Sequence, residues 1–429
     1  MTSGVLRVRL GGRRAATVAP TAHGLVLTYE ADYLAFVEAV PLSLSLPLRA
    51  QPHEGRLVTD WLDGLLPDLP TQRDQWRRAA GAASSDAFDL LASPIGSECA
   101  GAVQFERAEP GDPGDPSRPE SALVPVSDAE LADTLRDMST GVLTAGWRDD
   151  PLASFSLAGT MPKLALRREA GRWHKALGDE PTTHILKPSI AVYPGQAVGE
   201  HLALATARRL GIAATRTEVA DIGGVETLVV ERFDRARPPA APRTAARIHQ
   251  EDMCQALGRP AAQRFERDGG PSPAEIAALL RAYSSSPHDD LASWFVRLVY
   301  CWVIVANDAH AKNHALMHLP GAHCRLAPLY DTASWLPYTS LHASEVHLAM
   351  SLGGRFPAGH GARHDDWRRL AHDFGLDPEW AVEQVQRIAS DTSAHLLAEI
   401  DSLPAHCRAT GLASHLLTAI TQRCADINA

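Results

Sequence analysis

The chain is poor in the features that mark most specialised protein classes. Its six cysteines, Cys99, Cys254, Cys301, Cys324, Cys407 and Cys424, are scattered with no C-x-x-C pair. That pattern reads as reduced thiols, mostly in the core of a cytoplasmic protein. There is no surplus of positive charge: 41 Lys and Arg stand against 51 Asp and Glu, a net charge of −10. Such a balance argues against wholesale coating of nucleic acid and leaves room only for a local basic patch. A long apolar run is missing too. The segment Leu291–Val303 is interrupted by Arg297 and falls short of the roughly 18–20 apolar residues a membrane span requires. The N-terminus, Met1 to Leu6, has no basic segment followed by an apolar stretch, so no signal peptide is expected. No internal repeat is visible.

What remains is an ordinary soluble composition, 45% hydrophobic and 21% charged, over 429 residues, enough for two or three domains. Residues 5–30 alternate apolar and polar around a Gly11-Gly12 turn, predicting a small antiparallel sheet. Pro41 to Leu48 reads as a period-2 strand bounded by prolines, followed by helices around 57–65 and 71–92. The Pro-, Gly- and Asp-rich stretch 108–120 reads by composition as a disordered loop and subdomain edge. Strand-like runs follow at 164–166, 184–187 and 226–233, with a helix around 197–210 among them. After a second Pro-rich stretch at 235–242 the chain is mainly helical, with Ser272-Pro273-Ala274-Glu275 as a helix start. The expected division is residues 1–107, 121–235 and 243–429. It corresponds to an α+β, bilobal, protein-kinase-like layout: a β-rich N-terminal lobe with an extra N-terminal subdomain, and a mainly helical C-terminal lobe.

The chemistry concentrates late in the chain. Asp308 and Asn313 are five residues apart in Asn307-Asp308-Ala309-His310-Ala311-Lys312-Asn313, and Asp331 follows a predicted hairpin, Ala315–Leu319 and Cys324–Leu329 around Pro320-Gly321. An aspartate, an asparagine at i+5 and a second aspartate after a hairpin are what kinase-type phosphoryl transfer needs. The first accepts or orients the substrate hydroxyl, and the other two hold Mg²⁺ against the ATP phosphates. A buried helix, with Leu291, Trp294, Phe295, Leu298, Val299, Trp302 and Val303 on one face, delivers the chain to Asp308. Three histidines, His310, His314 and His318, are spaced i, i+4, i+8. They would share a face and suit Zn²⁺ only on a continuous helix. The hairpin pattern argues against one, and His310 is better read as orienting Asp308 or its loop.

Lys187 ends a strand, where a lysine can pair with ATP phosphates; the bland alternative is a solvated strand end. Glu200 on the next helix is a candidate ion-pair partner, or merely a first-turn glutamate. The small-residue loop Ser154 to Lys163, containing Ala158-Gly159, lets backbone N–H groups approach phosphates but lacks a Walker pattern, so a surface turn is the alternative. Glu231-Arg232-Phe233-Asp234 occupies the place of a hinge, with Asp234 near a ribose; a polar strand end is the equal alternative.

Taken together, these residues make the chain resemble the HipA family of toxin serine/threonine kinases over nearly its whole length. The resemblance is carried by Pro41–Leu48, Leu65-Leu66-Pro67-Asp68, Phe88-Asp89-Leu90-Leu91, Gly101-Ala102-Val103, Ser156-Leu157-Ala158-Gly159, Pro181–Lys187, Glu231–Asp234, Gln250–Gln255, Asn307–Asn313 and Tyr330-Asp331. It implies ATP phosphates on Lys187, with Ala158 and Gly159 in the phosphate loop. Glu231 and Phe233 would offer hinge backbone to adenine, and Asp234 would sit at the ribose. Asp308 would be the catalytic base, and Asn313 and Asp331 would hold Mg²⁺. Ser156 would be the site of a silencing autophosphorylation. It also implies a HipB-like helix-turn-helix antitoxin, operator DNA reached through that antitoxin, and a protein substrate such as an aminoacyl-tRNA synthetase. The family's loop commonly reads A-G-A-Q-E-K; here it is Ala158-Gly159-Thr160-Met161-Pro162-Lys163, in which Pro162 removes a backbone donor. The rival readings are a small-molecule kinase and a kinase-like module that acts only by binding.

Overall fold

Gly11 and Gly12, both at positive φ (57° and 83°), turn the first strand back on the second without steric penalty. The computed structural model describes residues 4–108, 120–140, 155–236, 245–321, 323–338, 347–356, 361–408 and 411–428. Strands β1 (Val5–Leu10), β2 (Arg13–Thr21) and β3 (Gly24–Tyr29) form the expected antiparallel sheet, widened by β4 (His53–Glu54) and β5 (Val103–Ala108) into the order β4-β3-β2-β1-β5. Helices α1 (Ala31–Leu34), α2 (Arg56–Gly64), α3 (Pro70–Ala80) and α4 (Ala87–Leu91) cover it around a core that includes Val8, Leu27, Trp61 and Trp76. The single helix expected over 71–92 is two, because Gly81 adopts the left-handed conformation (φ 66°) and closes α3.

The strand expected over 41–48 is not one. Its only ladder contact is a bridge between Ser43 and Leu46. The segment instead folds around Tyr29, whose Oη accepts from Leu42 N–H (2.8 Å) and donates to the Leu46 carbonyl (2.6 Å). A side-chain hydroxyl takes the place of a neighbouring strand.

The second sheet has the order β10-β11-β9-β7-β8-β6 and is antiparallel, built from β6 (Ala122–Pro125), β7 (Leu164–Glu169), β8 (Arg172–Leu177), β9 (His184–Pro188), β10 (Thr217–Ile222) and β11 (Val225–Glu231). Helices α5 (Asp128–Ser139) and α6 (Gln196–Arg209) pack on it. A two-strand pair, β12 (Arg235–Ala236) and β13 (Ala246–Arg247), leads to the last lobe. The composition-based boundaries lie largely outside the described residues.

The last lobe is helical except for the small sheet β14 (Gln250–Asp252), β15 (Ala315–Leu319) and β16 (His323–Leu326). Its helices are α7 (Met253–Ala256), α8 (Pro273–Tyr283), α9 (Pro287–Val303), α10 (His364–Asp373), α11 (Pro378–Ser402), α12 (Ala405–Arg408) and α13 (Leu412–Asn428). Ser272 and Glu275 form the capping box that starts α8. The apolar face of α9 lies in the largest core, with Trp294, Phe295 and Val299 fully buried. Arg423 of α13 donates to the carbonyls of Trp302 (2.8 Å) and Val303 (2.9 Å), satisfying the end of α9 where the chain turns toward Asp308. Among the described residues no helix is long and apolar enough to cross a membrane.

Candidate active site

Beyond α9 the backbone turns at Val305, in the left-handed region (φ 57°), and carries Asp308 into the cleft with 75% of its side chain exposed. Asn313 folds back: its Nδ2 donates to the Asp308 carbonyl at 2.8 Å and approaches the Asp331 carbonyl at 3.5 Å. The hairpin β15–β16 then returns the chain, and Asp331 sits at φ 48°. A non-glycine residue there is strained by about 1–3 kcal/mol, a cost that recurs at functional sites. Tyr330 Oη donates to the Lys312 carbonyl (2.8 Å) and ties the Asp331 turn to the loop.

Lys187, at the end of β9, places its ammonium between Glu200 Oε1 of α6 (2.7 Å) and Asp331 Oδ1 (2.5 Å). Burial works against the charge on Lys187, but Asp331 and Glu200 outweigh it, so its pKa is raised. Asp331 is held low: burial opposes ionisation, and Lys187 with Lys163 more than compensates. For the deeply buried Glu200 carboxyl, burial prevails and the pKa is raised. Strand β9, helix α6 and the distant Asp331 turn thus meet at one ammonium.

Asp308 is raised to about 6, by the crowding of the cleft walls first, then by the Asp331 charge, with Arg264 opposing and Asp68 adding. With so much of the side chain open to solvent, the neighbouring carboxylates are the firmer cause of the rise. The His310 side chain makes no bond to the Asp308 carboxylate, while its backbone N–H donates to the Asp308 carbonyl at 2.8 Å. Its Nε2 is 3.7 Å from Asp308 Oδ1, beyond hydrogen-bond range, and its ring stands edge-on to Phe265 at 4.8 Å. Burial lowers its pKa to about 4. The Asn313 side chain orients the loop. The three histidines share no helix face: a short turn at Ala311–Asn313 is followed by β15, His314 packs against Trp294, and His318 bonds to Glu251.

The loop before β7 is tucked inward. Ser156 is fully buried, its N–H donating to the Glu98 carbonyl (2.6 Å) and its Oγ to the Leu65 carbonyl (2.7 Å). Lys163, which the sequence reading did not select, sends Nζ back to the Ala158 carbonyl at 2.5 Å. Burial lowers its pKa to about 8 against the pull of Asp331. Gly159 sits at φ 108°, a conformation that L side chains rarely adopt, which is why a glycine suits this position. Met161 and Pro162 line a small cavity together with Lys187 and Glu200.

At the hinge, Arg232 N–H donates to the Thr183 carbonyl (2.9 Å), Glu231 is exposed, and the Phe233 ring lies 5.2 Å from Tyr330. Asp234 is not available to a ribose. Its carboxylate is buried and accepts from Arg232 Nε (2.9 Å), a second Arg232 nitrogen (2.8 Å) and Gly101 N–H (2.7 Å). It belongs to an ion cluster in which Glu98 also meets Arg232, Arg235 and Arg247.

The donor set suits a phosphate-bound Mg²⁺. Among the described residues no protein donor bonds to Asp331 Oδ2 or Asn313 Oδ1, and Mg²⁺ is typically held by one or two such oxygens plus substrate phosphates.

The chain is similar to known proteins in sequence and in fold. Residues 6–106 match the HipA N-terminal domain and residues 155–396 the HipA-like C-terminal domain. A candidate kinase of Sinorhizobium fredii, Y4mE, is 32% identical over 405 residues, covering 92% of this chain and 94% of the relative. The serine/threonine-protein kinase toxin HipA of Shewanella oneidensis is 26% identical over 329 residues, covering 74% of this chain and 71% of that one. Among solved structures, HipA in the Shewanella oneidensis HipA, HipB and operator DNA complex superposes with a TM-score of 0.81 at 23% identity, covering 98% of this chain and 97% of that chain. That likeness extends the kinase-like, α+β fold over the whole molecule, and the chain belongs to the HipA-like kinase family.

Proposed function

We propose that the protein is an ATP- and Mg²⁺-dependent serine/threonine protein kinase, the toxin of a type II toxin–antitoxin pair. The observation that carries the reading is the Lys187 ammonium held between Glu200 and Asp331, beside an Asn313 folded onto the Asp308 backbone. Lys187 binds the ATP phosphates, and the hinge at Glu231 and Phe233 receives adenine through its backbone. Asn313 and Asp331 hold Mg²⁺, which neutralises charge on the phosphates when bound. Asp308 takes the proton of the attacking hydroxyl, and its raised pKa places it near the working range of a general base.

The relatives support the biological setting. A HipB-like antitoxin is the partner, operator DNA is reached through it, and a translation component such as an aminoacyl-tRNA synthetase is the substrate. Ser156 is the autophosphorylation site; because it is fully buried against two carbonyls, it must leave its niche to be modified. The test is incubation with labelled ATP and Mg²⁺ beside Asp308→Asn, followed by phosphosite mapping. Label on Ser156 in the wild type alone is expected. Equal labelling of both proteins would refute the assignment of Asp308.

A further inference from the structure

The two cations nearest the phosphate loop, Lys187 and Lys163, lie on the nucleotide side. The acceptor side, around Asp308, has no free cation on its own loop. Lys312 Nζ is committed to the Gly64 carbonyl (3.0 Å) and Asp252 Oδ2 (2.8 Å), and burial keeps His310 neutral. Yet this is the crowded side: Asp331 and Asp68 both bear on Asp308, and a phosphoryl group arriving there brings more negative charge. The charge that opposes them is Arg264, which acts on Asp308 and on His310.

Arg264 is fixed at its backbone, and its guanidinium lies over the Phe265 ring at 5.5 Å, where a long ion pair rather than a tight hydrogen bond holds it. Its carbonyl accepts from Ala311 N–H (3.1 Å), Phe265 packs on His310, and Glu266 accepts from both Ser351 N–H and Oγ at 2.6 Å. Its side chain is 27% exposed, and its ion pair is with Asp68 at 3.5 Å, too long for the tight bidentate bonds of a committed arginine. Asp68 arrives from the N-terminal subdomain just beyond α2, with its side chain 14% exposed and Oδ1 buried without a partner. The Arg264 backbone holds Ala311, three residues beyond the base, its neighbour Phe265 packs on His310, and its charge has one acid, Asp68, at 3.5 Å to return to.

We propose that Arg264 is the acceptor-side phosphate clamp and that Asp68 parks it between turnovers, an inference that rests on the kinase reading above. The guanidinium leaves Asp68 and neutralises the phosphoryl oxygens while the γ-phosphorus parts from the bridging oxygen of ADP and bonds to the substrate hydroxyl. The hydroxyl proton passes to Asp308, and ADP keeps the electron pair of the broken bond.

The experiment compares phosphoryl transfer, MgATP affinity and thermal unfolding for the wild type, Arg264→Met, Arg264→Lys and Asp68→Asn. Loss of a preorganised charge at the transferring group lowers kcat by about 100-fold. Arg264→Met is expected to show that loss with MgATP affinity and Tm unchanged, Arg264→Lys to recover part of it, and Asp68→Asn, which frees the guanidinium, to raise kcat above that of the wild type. A kcat for Arg264→Met within about threefold of wild type overturns the clamp. So does a parallel loss of MgATP affinity that lysine fails to restore, since a structural or nucleotide-side role would produce it. A kcat of Asp68→Asn at or below that of the wild type overturns the parking role. A wild type that transfers nothing removes the kinase reading and the clamp with it, whereas a transferring wild type beside an unaffected Arg264→Met sinks the clamp alone.

Discussion

Replacing Ser156 by aspartate should eject the phosphate loop, and the structure sets the size of the effect. The residue has no exposed surface, its Oγ donates to the Leu65 carbonyl at 2.7 Å, and its N–H donates to the Glu98 carbonyl at 2.6 Å. Ser156→Ala loses one donor and leaves one carbonyl without it, about 1–3 kcal/mol. The backbone bond survives, as do the burial of Leu157 and the packing of Phe155 on Trp76 at 6.2 Å, so the loop stays docked. Ser156→Asp removes the same donor and directs an anion at a carbonyl oxygen with no water to screen it. An uncompensated buried charge costs about 3–5 kcal/mol. At 1.4 kcal/mol per factor of ten, the ratio of docked to undocked loop falls by roughly 100- to 4,000-fold. A nucleotide that needs the docked loop loses apparent affinity in proportion to the fraction still docked. Calorimetric MgATP titration of the three proteins, with hydrogen exchange followed on residues 155–163, reads both quantities. Weak binding and fast exchange are expected for Ser156→Asp only. An aspartate variant that binds MgATP like the wild type, with the loop still protected, would refute the reasoning and remove the physical basis for silencing by phosphorylation at this serine.

Asp308→Asn should abolish transfer while MgATP affinity, measured by calorimetry, is kept. A base with a pKa near 6 is active when deprotonated, so the pH–rate profile of the wild type should rise through about pH 6 and lose activity below it. The same raised pKa means that the folded state favours neutral Asp308. That contribution is present in acid and lost as pH rises through about 6, so Asp308→Asn should raise Tm at pH 8 and leave it unchanged at pH 4. Glu98→Gln leaves the guanidinium groups of Arg232, Arg235 and Arg247 short of a counter-charge. It should destabilise by about 3–5 kcal/mol in denaturant unfolding. The depressed pKa of Glu98 means that the stability it lends is present above the ordinary carboxylate range and is lost as pH falls. Lys312→Met strands Asp252 and releases the Gly64 carbonyl, so kcat should fall by about tenfold with MgATP affinity unchanged; equal kcat would show that the link to the N-terminal subdomain is not needed for turnover.

The parts of the site that could be read in the sequence are those set by short-range geometry. The face of α9, the i+5 asparagine and the hairpin leading to Asp331 are local, and the structure brings Asp308, Asn313 and Asp331 together as their spacing implies, whereas Lys187, 144 residues before Asp331, reaches them only through the fold. Glu200 was only an even alternative in the sequence, because a first-turn glutamate looks the same whether or not a lysine waits across the cleft. The Asp234 expectation differs from the structure because the same Arg232-Asp234 motif serves a buried ion cluster with Arg235 and Arg247, whose shared acid, Glu98, lies far away in the chain. The Pro41–Leu48 pattern alternates like a strand, yet its partner is the Tyr29 hydroxyl rather than another strand. Lys163 carried a signal, a lysine closing a small-residue loop, but its significance depends on burial. Arg264 carried none: its meaning lies in what stands opposite it.

The N-terminal subdomain is best understood as a structural component of the kinase site rather than an attachment to it. The motif Gln250–Gln255 supplies the joint. Glu251 accepts from Ser43 Oγ (2.5 Å) and Leu44 N–H (2.9 Å), while the Gln255 carbonyl accepts from Ser45 Oγ (2.7 Å). Asp252, next in line, holds Lys312 of the catalytic loop, which also takes the Gly64 carbonyl at the end of α2. Leu65 and Glu98 hold Ser156 in, and Asp68 faces Arg264. Catalytic loop, phosphate loop and acceptor rim therefore each end on this subdomain, through carbonyls and carboxylates that have fixed positions only while it is folded in place. A ligand can shift an equilibrium only by binding its two states unequally. A partner that grips this subdomain differently in the loop-in and loop-out arrangements would therefore act on phosphoryl transfer without entering the cleft.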